Sequence, residues 1–237
     1  MKNYISIIIP TYNERENIID LINTIRTILN GDNIRFEIII IDDNSPDKTA
    51  KMVNNEFGQD ETVRLFIRKN ERSLGTAILF GIKKAKGDII VGMDADFNHP
   101  PEKIPELLSN LKQTDLVVAS RFIKGGGMED RVRYIFTYFF NLFLKYFLGF
   151  PTMDNMSGFY AIRKEKLWQL PINKIYQGYG EYHLRLVYLA KKYGLSIKEI
   201  PVFYPKRKHG QSKTNFFKIF FQYLFVAFDL KLRNDKI

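Results

Sequence analysis

The chain has 237 residues, which is enough for one α/β domain with a substantial core, and it contains no cysteine,. Disulfides, thiolate metal sites and cysteine nucleophiles are therefore excluded, and a reducing compartment suits the composition. Lysine and arginine exceed aspartate and glutamate by 36 to 26, and the formal net charge of +10 favours anionic partners such as diphosphates or phospholipid headgroups,.

Short runs rich in isoleucine and valine alternate with helical stretches along the first two thirds of the chain. The predicted strands are residues 4–9, 36–41, 63–67, 89–93 and 116–119, and the predicted helices are residues 16–29, 48–56, 76–86 and 102–111. Runs this short and apolar are typical of strands buried on both faces. Their alternation with helices predicts a Rossmann-like parallel sheet that is covered on both sides.

After Arg121 the chain becomes rich in glycine and aromatic residues. Three glycines at residues 125–127 imply a mobile loop, and two aromatic segments follow at residues 134–150 and 215–233,. Both segments are shorter than the roughly 20 predominantly apolar residues needed to span a bilayer, and both carry charges. We expect two amphipathic helices that lie in a membrane interface. The alternative is a pair of core helices packed on each other or in a dimer.

An acidic motif follows the fourth predicted strand, where Asp94, Asp96 and Asn98 place oxygen-bearing side chains at alternate positions. Open α/β sheets bind ligands at the carboxyl ends of their strands. Two carboxylates this close repel each other unless a cation lies between them, and oxygen ligands favour Mg²⁺ or Mn²⁺. The motif predicts a metal site that holds a diphosphate. The alternative is that the two aspartates cap the following turn.

The first two predicted strands also end in functional residue types. Pro10, Tyr12 and Glu14 follow the first strand, and Asp42 and Asp43 end the second. Acids at this edge can accept hydrogen bonds from ribose or a base, and the ring surfaces suit a nucleoside. Ordinary turn chemistry is the alternative for residues 42–47. The sequence lacks G-x-G-x-x-G and P-loop motifs after the first strand, which argues against dinucleotide oxidoreductases and P-loop nucleotidases.

Several motifs together resemble one known family. They are P-T-Y-N-E at 10–14, D-D-N-S-P-D at 42–47, L-G-T-A at 74–77, D-A-D-F-N-H-P-P at 94–101, S-R at 120–121, D-N-M-S-G-F at 154–159 and R-K-H-G-Q-S-K at 207–213. Their order and spacing over residues 4–214 resemble dolichol-phosphate mannose synthases and related polyprenyl-phosphate glycosyltransferases, the inverting GT-A enzymes of family 2. The resemblance implies a GT-A fold with a mostly parallel sheet, and we expect one catalytic domain over residues 1–237.

The resemblance also implies roles for particular residues. It assigns the metal to Asp94, Asp96 and Asn98, the nucleoside to Pro10, Tyr12, Glu14, Asp42 and Asp43, and the acceptor or phosphate groups to Ser120, Arg121, Arg131, Arg207 and Lys213. Asp96 and Arg121 are the expected catalytic residues. The implied donor is GDP-mannose. UDP-glucose and a UDP-N-acetylhexosamine stay open, because the chain reads Gly180-Glu181-Tyr182 where mannose synthases carry an aromatic-Gln pair.

The expected acceptor is a polyprenyl or dolichyl phosphate, and the expected location is the cytoplasmic face of an anionic membrane, held peripherally. The first residues turn polar too soon for a signal peptide, so none is expected. A homodimer or a membrane-protein partner stays open, as does a soluble transferase acting on a polysaccharide. A non-catalytic nucleotide- or lipid-binding subunit is disfavoured by the intact acidic motif. Nucleic acid is not expected, because the sequence has no recognisable module for binding it.

Overall fold

The computed structural model describes residues 4–206 and 216–232, without the side chains of 216–219. The strands within these ranges are β1 Tyr4–Thr11, β2 Arg35–Asp42, β3 Val63–Ile67, β4 Ile89–Gly92, β5 Leu116–Ser120, β6 Gly127–Met128, β7 Tyr160–Arg163, β8 Ile197–Pro201 and β9 Phe203–Tyr204. The helices are α1 Ile18–Gly31, α2 Thr49–Phe57, α3 Leu74–Lys84, α4 Ile104–Asn110, α5 Arg131–Leu148, α6 Lys164–Leu167, α7 Ile172–Ile175, α8 Glu181–Lys192 and α9 Phe216–Leu232.

A seven-stranded sheet in the order β3-β2-β1-β4-β7-β5-β8 forms the centre of the fold. β1 is parallel to β2 and β4, β2 is parallel to β3, and β5 is parallel to β8. β7 runs antiparallel between β4 and β5. A separate short pairing joins β6 to β9. The expectation of a Rossmann-like, mostly parallel sheet flanked by helices is therefore confirmed.

The isoleucines of β1 show why the inner strands are mostly apolar on both faces. Ile5, Ile7 and Ile9 pack with α1, α2 and α4 on one face of the sheet, whereas Ile8 packs with α3 and α8 on the other. A strand between two helical layers has no face in contact with solvent, so it does not alternate apolar and polar residues. Burying each such side chain contributes about 1.5–3 kcal/mol.

The five predicted strands and four predicted helices are present, with ends displaced by no more than two residues. The five predicted strands all run in the same direction, and the antiparallel strand β7 is one that was not predicted; β8 was not predicted either. The chain leaves the sheet at the carboxyl end of β5 and re-enters at the same edge through β7, which is therefore antiparallel to β5. The intervening segment, which includes α5, begins and ends at the edge where ligands are expected.

The two aromatic segments form α5 and α9, which pack side by side through rings such as Phe140 and Phe220, with centroids 5.1 Å apart. The polar residues of α5 face inward: Thr137 and Asn141 are buried, and the Asn155 backbone N–H donates to Asn141 Oδ1 at 2.8 Å. Phe140, Leu144 and Leu148 share this buried face, so α5 differs from an ordinary surface helix in also carrying apolar residues on its outward side,.

The outward sides of α5 and α9 are rich in large apolar residues. Those that are exposed are Val132, Ile135, Phe136, Phe139, Tyr146 and Phe147 of α5 and Phe221, Phe225, Phe228 and Leu232 of α9, with 40% to 79% of each residue accessible. We call these ten residues the aromatic face. In residues 4–206 and 216–232, no helix is long and apolar enough to cross a bilayer. Contact of the aromatic face with a membrane stays a prediction.

Candidate active site

The carboxyl ends of β1, β2 and β4 lie side by side, because these neighbouring strands are parallel. The strand order reverses at β1, since β2 and β3 follow on one side and β4 lies on the other. Open α/β sheets bind ligands at such a reversal. The carboxyl ends of β1 and β2 carry the predicted nucleotide residues, and the segment after β4 carries the predicted metal residues, so the fold brings distant parts of the sequence to one edge.

A first cavity of about 320 Å³ opens at this edge. Of the predicted residues, Pro10, Tyr12, Glu14, Asp43, Asp94 and Asp96 line it. Arg72, which sequence reasoning missed, also lines it, and its guanidinium carbon lies 3.5 Å from the centroid of the Tyr12 ring. One wall of the first cavity therefore carries an aromatic ring covered by a cation.

Asp42 lies beneath the first cavity without lining it. Its carboxylate is fully buried and accepts hydrogen bonds from Thr11 Oγ1 at 2.9 Å, from the Ser45 backbone N–H at 2.8 Å and from Ser45 Oγ at 2.5 Å. These bonds join the end of β1 to the turn after β2, as aspartates commonly do in turns. The contacts match the turn chemistry that the sequence left as the alternative role for this residue.

Asp43 lines the first cavity but is also paired. Arg68 Nε donates to Asp43 Oδ1 at 2.7 Å and Arg68 Nη2 donates to Oδ2 at 2.8 Å. The Ser73 backbone N–H donates to the same Oδ2 at 3.1 Å, and Arg68 Nη2 also donates to the Ser73 carbonyl. Such a bidentate pair fixes the carboxylate in one orientation. Asp43 therefore positions the loop before α3 as well as the cavity wall.

The acidic motif begins just after β4. The Asp94 side chain is 40% exposed, whereas Asp96 and Asn98 are buried. The Asn98 backbone N–H donates to Asp96 Oδ1 at 3.1 Å. In the described residues, no three His, Cys, Asp or Glu side chains are grouped closely enough to hold a metal. Two carboxylates and an amide still fit Mg²⁺ or Mn²⁺, which complete their shells with water or substrate phosphate.

Left-handed backbone conformations occur in the loops around this edge. Asn13, Asn44, Lys48 and Phe97 have φ between 54° and 70°. Asparagine tolerates this region, but a bulky residue such as Phe97 rarely adopts it. Strain of this kind is found where a site demands a particular turn. Phe97 turns the chain between Asp96 and Asn98, and this turn brings the Asn98 N–H to the carboxylate.

His99 links the acidic motif to the next loop. The Asp94 backbone N–H donates to His99 Nδ1 at 2.8 Å, and His99 Nε2 lies 3.0 Å from the Ser157 carbonyl. This pattern requires the neutral ring with its proton on Nε2. Burial lowers the pKa of His99 to about 4, which agrees with a neutral ring. The ring also stacks on Phe159, with centroids 5.1 Å apart.

A second cavity of about 120 Å³ adjoins the first, and Leu74, Asp94 and Tyr179 line both. Its other walls include Asn98, His99 and Arg121 from the core of the site, Arg133 and Thr137 from α5, and Tyr182, Tyr204 and Tyr223. Since Tyr223 belongs to α9, both helices that carry the aromatic face contribute to this cavity. Two arginines among its walls suit an anionic ligand.

Arg121 reaches the second cavity as one half of a buried ion pair. Its Nε and Nη2 donate to Asp154 Oδ2 and Oδ1 at 2.7 and 2.8 Å, and Nη1 takes no part in these bonds. Burial favours the neutral forms, but mutual attraction outweighs it, so the pKa of Arg121 is raised and that of Asp154 is lowered,. Sequence reasoning did not predict Asp154 as the partner.

The other predicted phosphate contacts differ in position. Ser120 is fully buried, its Oγ accepts from the Phe122 backbone N–H at 3.4 Å, and it lines neither cavity. Arg131 is exposed at the start of α5 and also lines neither cavity, whereas Arg133 lines the second. Two residues along a helix point in very different directions, which explains the contrast. Arg207 and Lys213 lie outside the described residues.

Tyr179 lies where the two cavities meet, and sequence reasoning did not assign it a role. The preceding Gly178 has φ of +73°, and a side chain added there would overlap Glu181 Oε1. Glu181 Oε2 accepts from the Tyr179 backbone N–H at 3.0 Å. Two glycines around one tyrosine were the available signal, because such a pattern permits a close backbone approach. Glu181 holds this loop through its carboxylate.

The fold and the site together define a glycosyltransferase of the GT-A class. The sheet is mostly parallel, an acidic D-x-D motif follows a central strand, and predicted nucleotide residues line the cavity beside it. The family model described as glycosyl transferase family 2 matches residues 6–171. The chain belongs to this family.

Curated relatives agree with this assignment. The chain is 36% identical to a dolichol-phosphate mannosyltransferase of Pyrococcus furiosus over 93% of its length, and it spans 61% of that relative. It is 30% identical to an undecaprenyl-phosphate mannosyltransferase of Micrococcus luteus, covering 87% of this chain and 85% of the relative. It is also 30% identical to a dolichol-phosphate mannosyltransferase of Saccharomyces cerevisiae, covering 92% and 84%.

Solved structures share the fold. Glucosyl-3-phosphoglycerate synthase of Mycobacterium tuberculosis in complex with phosphoglyceric acid has a TM-score of 0.72 and 22% identity, covering 97% of this chain and 80% of that one. The same enzyme with Mn²⁺, UDP-glucose and glycerol 3-phosphate has a TM-score of 0.70 and 22% identity, covering 95% and 79%. At 22% sequence identity, the structural similarity establishes that this chain has the GT-A fold.

Proposed function

We propose that this chain transfers mannose from GDP-mannose to the phosphate of a dolichyl or other polyprenyl lipid, with inversion at the anomeric carbon. The observation that carries the proposal is that the two cavities meet at Asp94 and that α5 and α9 line the second. A donor in the first cavity and a lipid phosphate in the second would be neighbours. The relatives are named as mannosyltransferases of dolichol phosphate and undecaprenyl phosphate, which supports mannose as the sugar and a polyprenyl phosphate as the acceptor.

The first cavity is the proposed donor site. Pro10 and Tyr12 offer apolar surface to the nucleoside, and Glu14 and Asp43 offer oxygens to ribose or base,. Asp42 acts one step further away, because its bonds to Thr11 and to the turn after β2 fix the wall of the cavity. Arg72 adds a positive charge beside the place where the diphosphate would lie.

Asp94, Asp96 and Asn98 are the proposed holders of Mg²⁺ or Mn²⁺. Their oxygen donors suit either ion, and a related fold has been crystallised with Mn²⁺ and UDP-glucose,. The bound ion supplies positive charge that neutralises the leaving diphosphate. Asp96 is held for this role by the Asn98 N–H, and Asp94 by the bond from its own N–H to His99.

The second cavity is the proposed acceptor site. A phosphate monoester has a second pKa of about 6, so near neutral pH it is already a dianionic nucleophile and needs no strong base. Its phosphate oxygen attacks the anomeric carbon and the nucleoside diphosphate leaves. Arg133 and the Arg121–Asp154 pair reduce the repulsion between acceptor and diphosphate,. Arg207 and Lys213 are proposed as further phosphate contacts by the motif at 207–213 alone.

The aromatic face is the proposed site of membrane contact. Exposed phenylalanines on two adjacent helices fit the headgroup and acyl boundary of a bilayer, and a net charge of +10 favours an anionic surface,. We propose that residues 1–237 act as one catalytic unit held peripherally at the cytoplasmic face. The lipid phosphate would then reach the second cavity from between α5 and α9.

The test is transfer of radiolabelled sugar from GDP-mannose, UDP-glucose and UDP-N-acetylglucosamine to polyprenyl phosphate in detergent micelles, with and without a chelator. The expected result is a chloroform-soluble product from GDP-mannose that the chelator suppresses. A lipid product from a UDP-sugar alone would replace the donor and keep the acceptor. No lipid product from any donor would overturn the acceptor assignment and leave the aromatic face as a surface for another protein.

A further inference from the structure

Four tyrosines line the second cavity: Tyr179 is exposed, and the other three, Tyr182, Tyr204 and Tyr223, are buried. The hydroxyls of the three buried tyrosines differ in what they bind. Tyr182 Oη donates to the Gly158 carbonyl at 3.4 Å, and Tyr204 Oη lies 2.7 Å from Ser157 Oγ. Tyr223 lines the same cavity, yet no residue in the described part of the chain exchanges a hydrogen bond with its Oη. The Tyr223 hydroxyl is therefore the one of the three that is available to a ligand in this cavity.

The backbone next to Tyr223 is shaped around its hydroxyl. Gly180, which also lines the second cavity, has φ of −73° and ψ of −15°, values that alanine adopts readily,. A Cβ added at Gly180 would overlap Tyr223 Oη. Position 180 therefore needs a glycine because a side chain would collide with the Tyr223 hydroxyl, and not because of its backbone conformation. The neighbours of these two residues are also in contact. Gln222, which precedes Tyr223, donates through Nε2 to Oε1 of Glu181, which follows Gly180, at 3.3 Å, and this bond holds α9 against the start of α8.

We propose that the Tyr223 hydroxyl binds the phosphate of the lipid acceptor, so that α9 supplies a substrate-binding group as well as an apolar surface. The inference rests on the proposed function, because it takes the second cavity as the acceptor site. Arg133 and Arg121 line the same cavity, so a phosphate placed there meets cations and a hydroxyl donor together,. Burial raises the pKa of Tyr223, which keeps the hydroxyl protonated and able to donate.

Tyr223 and the aromatic face lie on different sides of α9. Phe221 and Phe225 lie two positions before and after it and belong to the aromatic face, whereas Tyr223 is buried. One face of the helix therefore contacts lipid in the proposed function while the other contacts the lipid's phosphate. A lipid that carries a phosphate and lies beside α9 satisfies both faces at once.

The first experiment compares Tyr223→Phe with Tyr188→Phe, which loses a hydroxyl on α8 away from both cavities. A hydrogen bond to a charged group contributes enough for about a tenfold change in affinity. We expect Tyr223→Phe to raise the KM for polyprenyl phosphate about tenfold and to leave the Kd for GDP with Mn²⁺ within twofold. Tyr188→Phe should match the wild type. An unchanged acceptor KM, or an equal loss of GDP affinity, would refute the role.

The second experiment uses Gly180→Ala, whose Cβ displaces the hydroxyl without changing Tyr223. Its acceptor KM should rise as in Tyr223→Phe. The double variant should be no worse than Tyr223→Phe alone, because phenylalanine lacks the oxygen that the new Cβ meets. If the increases in acceptor KM of the two single variants multiplied in the double variant, Gly180→Ala would not be acting through the Tyr223 hydroxyl. If the wild type transfers to lipid and Tyr223→Phe equals it, the inference alone fails; a wild type without lipid transfer overturns the proposed function and this inference together.

Discussion

Asp96 combines a nearly buried carboxylate with a place on the wall of the first cavity. Asp96→Asn keeps the shape of the side chain and an oxygen for the Asn98 N–H, but removes the charge. We expect turnover to fall at least about a hundredfold, because the site loses one of its two carboxylates for the metal. Calorimetry should show weaker GDP binding in Mn²⁺, with an unchanged unfolding midpoint.

The matched control for Asp96→Asn is Asp20→Asn, which removes the same charge from the exposed surface of α1. It should leave both turnover and GDP binding at the wild-type level. Full activity in Asp96→Asn would contradict the metal assignment, and an equal loss in both variants would indicate a general effect of charge.

His99 joins two parts of the site through its two nitrogens. An asparagine oxygen can occupy the place of Nδ1 and keep the bond from the Asp94 N–H, whereas a glutamine amide can reach the place of Nε2 and keep the bond to Ser157,. We therefore expect His99→Asn to affect mainly the acceptor KM and His99→Gln to affect mainly metal-dependent nucleotide affinity. Steady-state kinetics with both substrates, together with calorimetry, separates the two effects. Identical profiles for the two variants would show that the histidine only fills space.

His183 is buried on α8, and both of its ring nitrogens lack a partner among the described residues. Burial lowers its pKa to about 3, from about 6.5 when unfolded,. The unfolded chain therefore binds the proton more readily, and stability should be lost progressively as pH falls from about 6.5 towards about 3.

We expect His183→Leu to weaken this loss of stability and to cost little at pH 7, because it removes a group whose hydrogen bonds are unmade. Urea unfolding at pH 7, 6 and 5 measures the effect. A pH slope equal to that of the wild type would assign the loss of stability to other groups, of which the similarly buried His99 is the first to test.

At the scale of elements, α5 and α9 expose rings on their outward sides, and α5 buries Thr137 and Asn141 on its inward side. Phe147→Glu and Phe225→Glu each place a charge on the aromatic face, where 76% and 71% of the native residue is exposed. If the face enters a bilayer, each change should weaken binding to vesicles of anionic phospholipid by at least about tenfold, since burial of one phenylalanine contributes about 1.5–3 kcal/mol.

Vesicle flotation measures this binding, and Ile67→Glu on β3 is the matched control, because it adds the same charge to an exposed apolar residue on another element. The control should float like the wild type. Unchanged flotation of both phenylalanine variants, combined with a change in oligomeric state, would transfer the aromatic face to a protein interface.

At the scale of the whole molecule, the first five strands and four helices could be predicted because their pattern is local. A run such as β1 is dominated by isoleucine, and the carboxyl ends of neighbouring parallel strands meet by geometry. The acidic motif and the residues at 10–14 could therefore be placed together. The antiparallel position of β7 could not be predicted, because the sequence of its four residues does not determine which strands they pair with.

The second cavity was predictable only in part. Arg121 was expected there, but its partner Asp154 lies in a loop whose contact depends on the completed sheet. Arg133 and not Arg131 lines the cavity because the start of α5 sets which residue turns inward. Tyr223 comes from a helix far along the chain and carries no local motif, so only the tertiary packing reveals it.

The central position of β7 has a consequence for the order in which the chain assembles. Residues 4–92 contain four adjacent parallel strands, but β5 pairs only with β7 and β8, which are made later. During synthesis β4 must therefore wait with an unpaired edge until residues 160–163 leave the ribosome. An exposed edge invites pairing with other chains, and long-range pairing is slow. A chain truncated before β7 should therefore aggregate. Within it, residues 4–92, which contain the four adjacent parallel strands, should be the part that resists proteolysis.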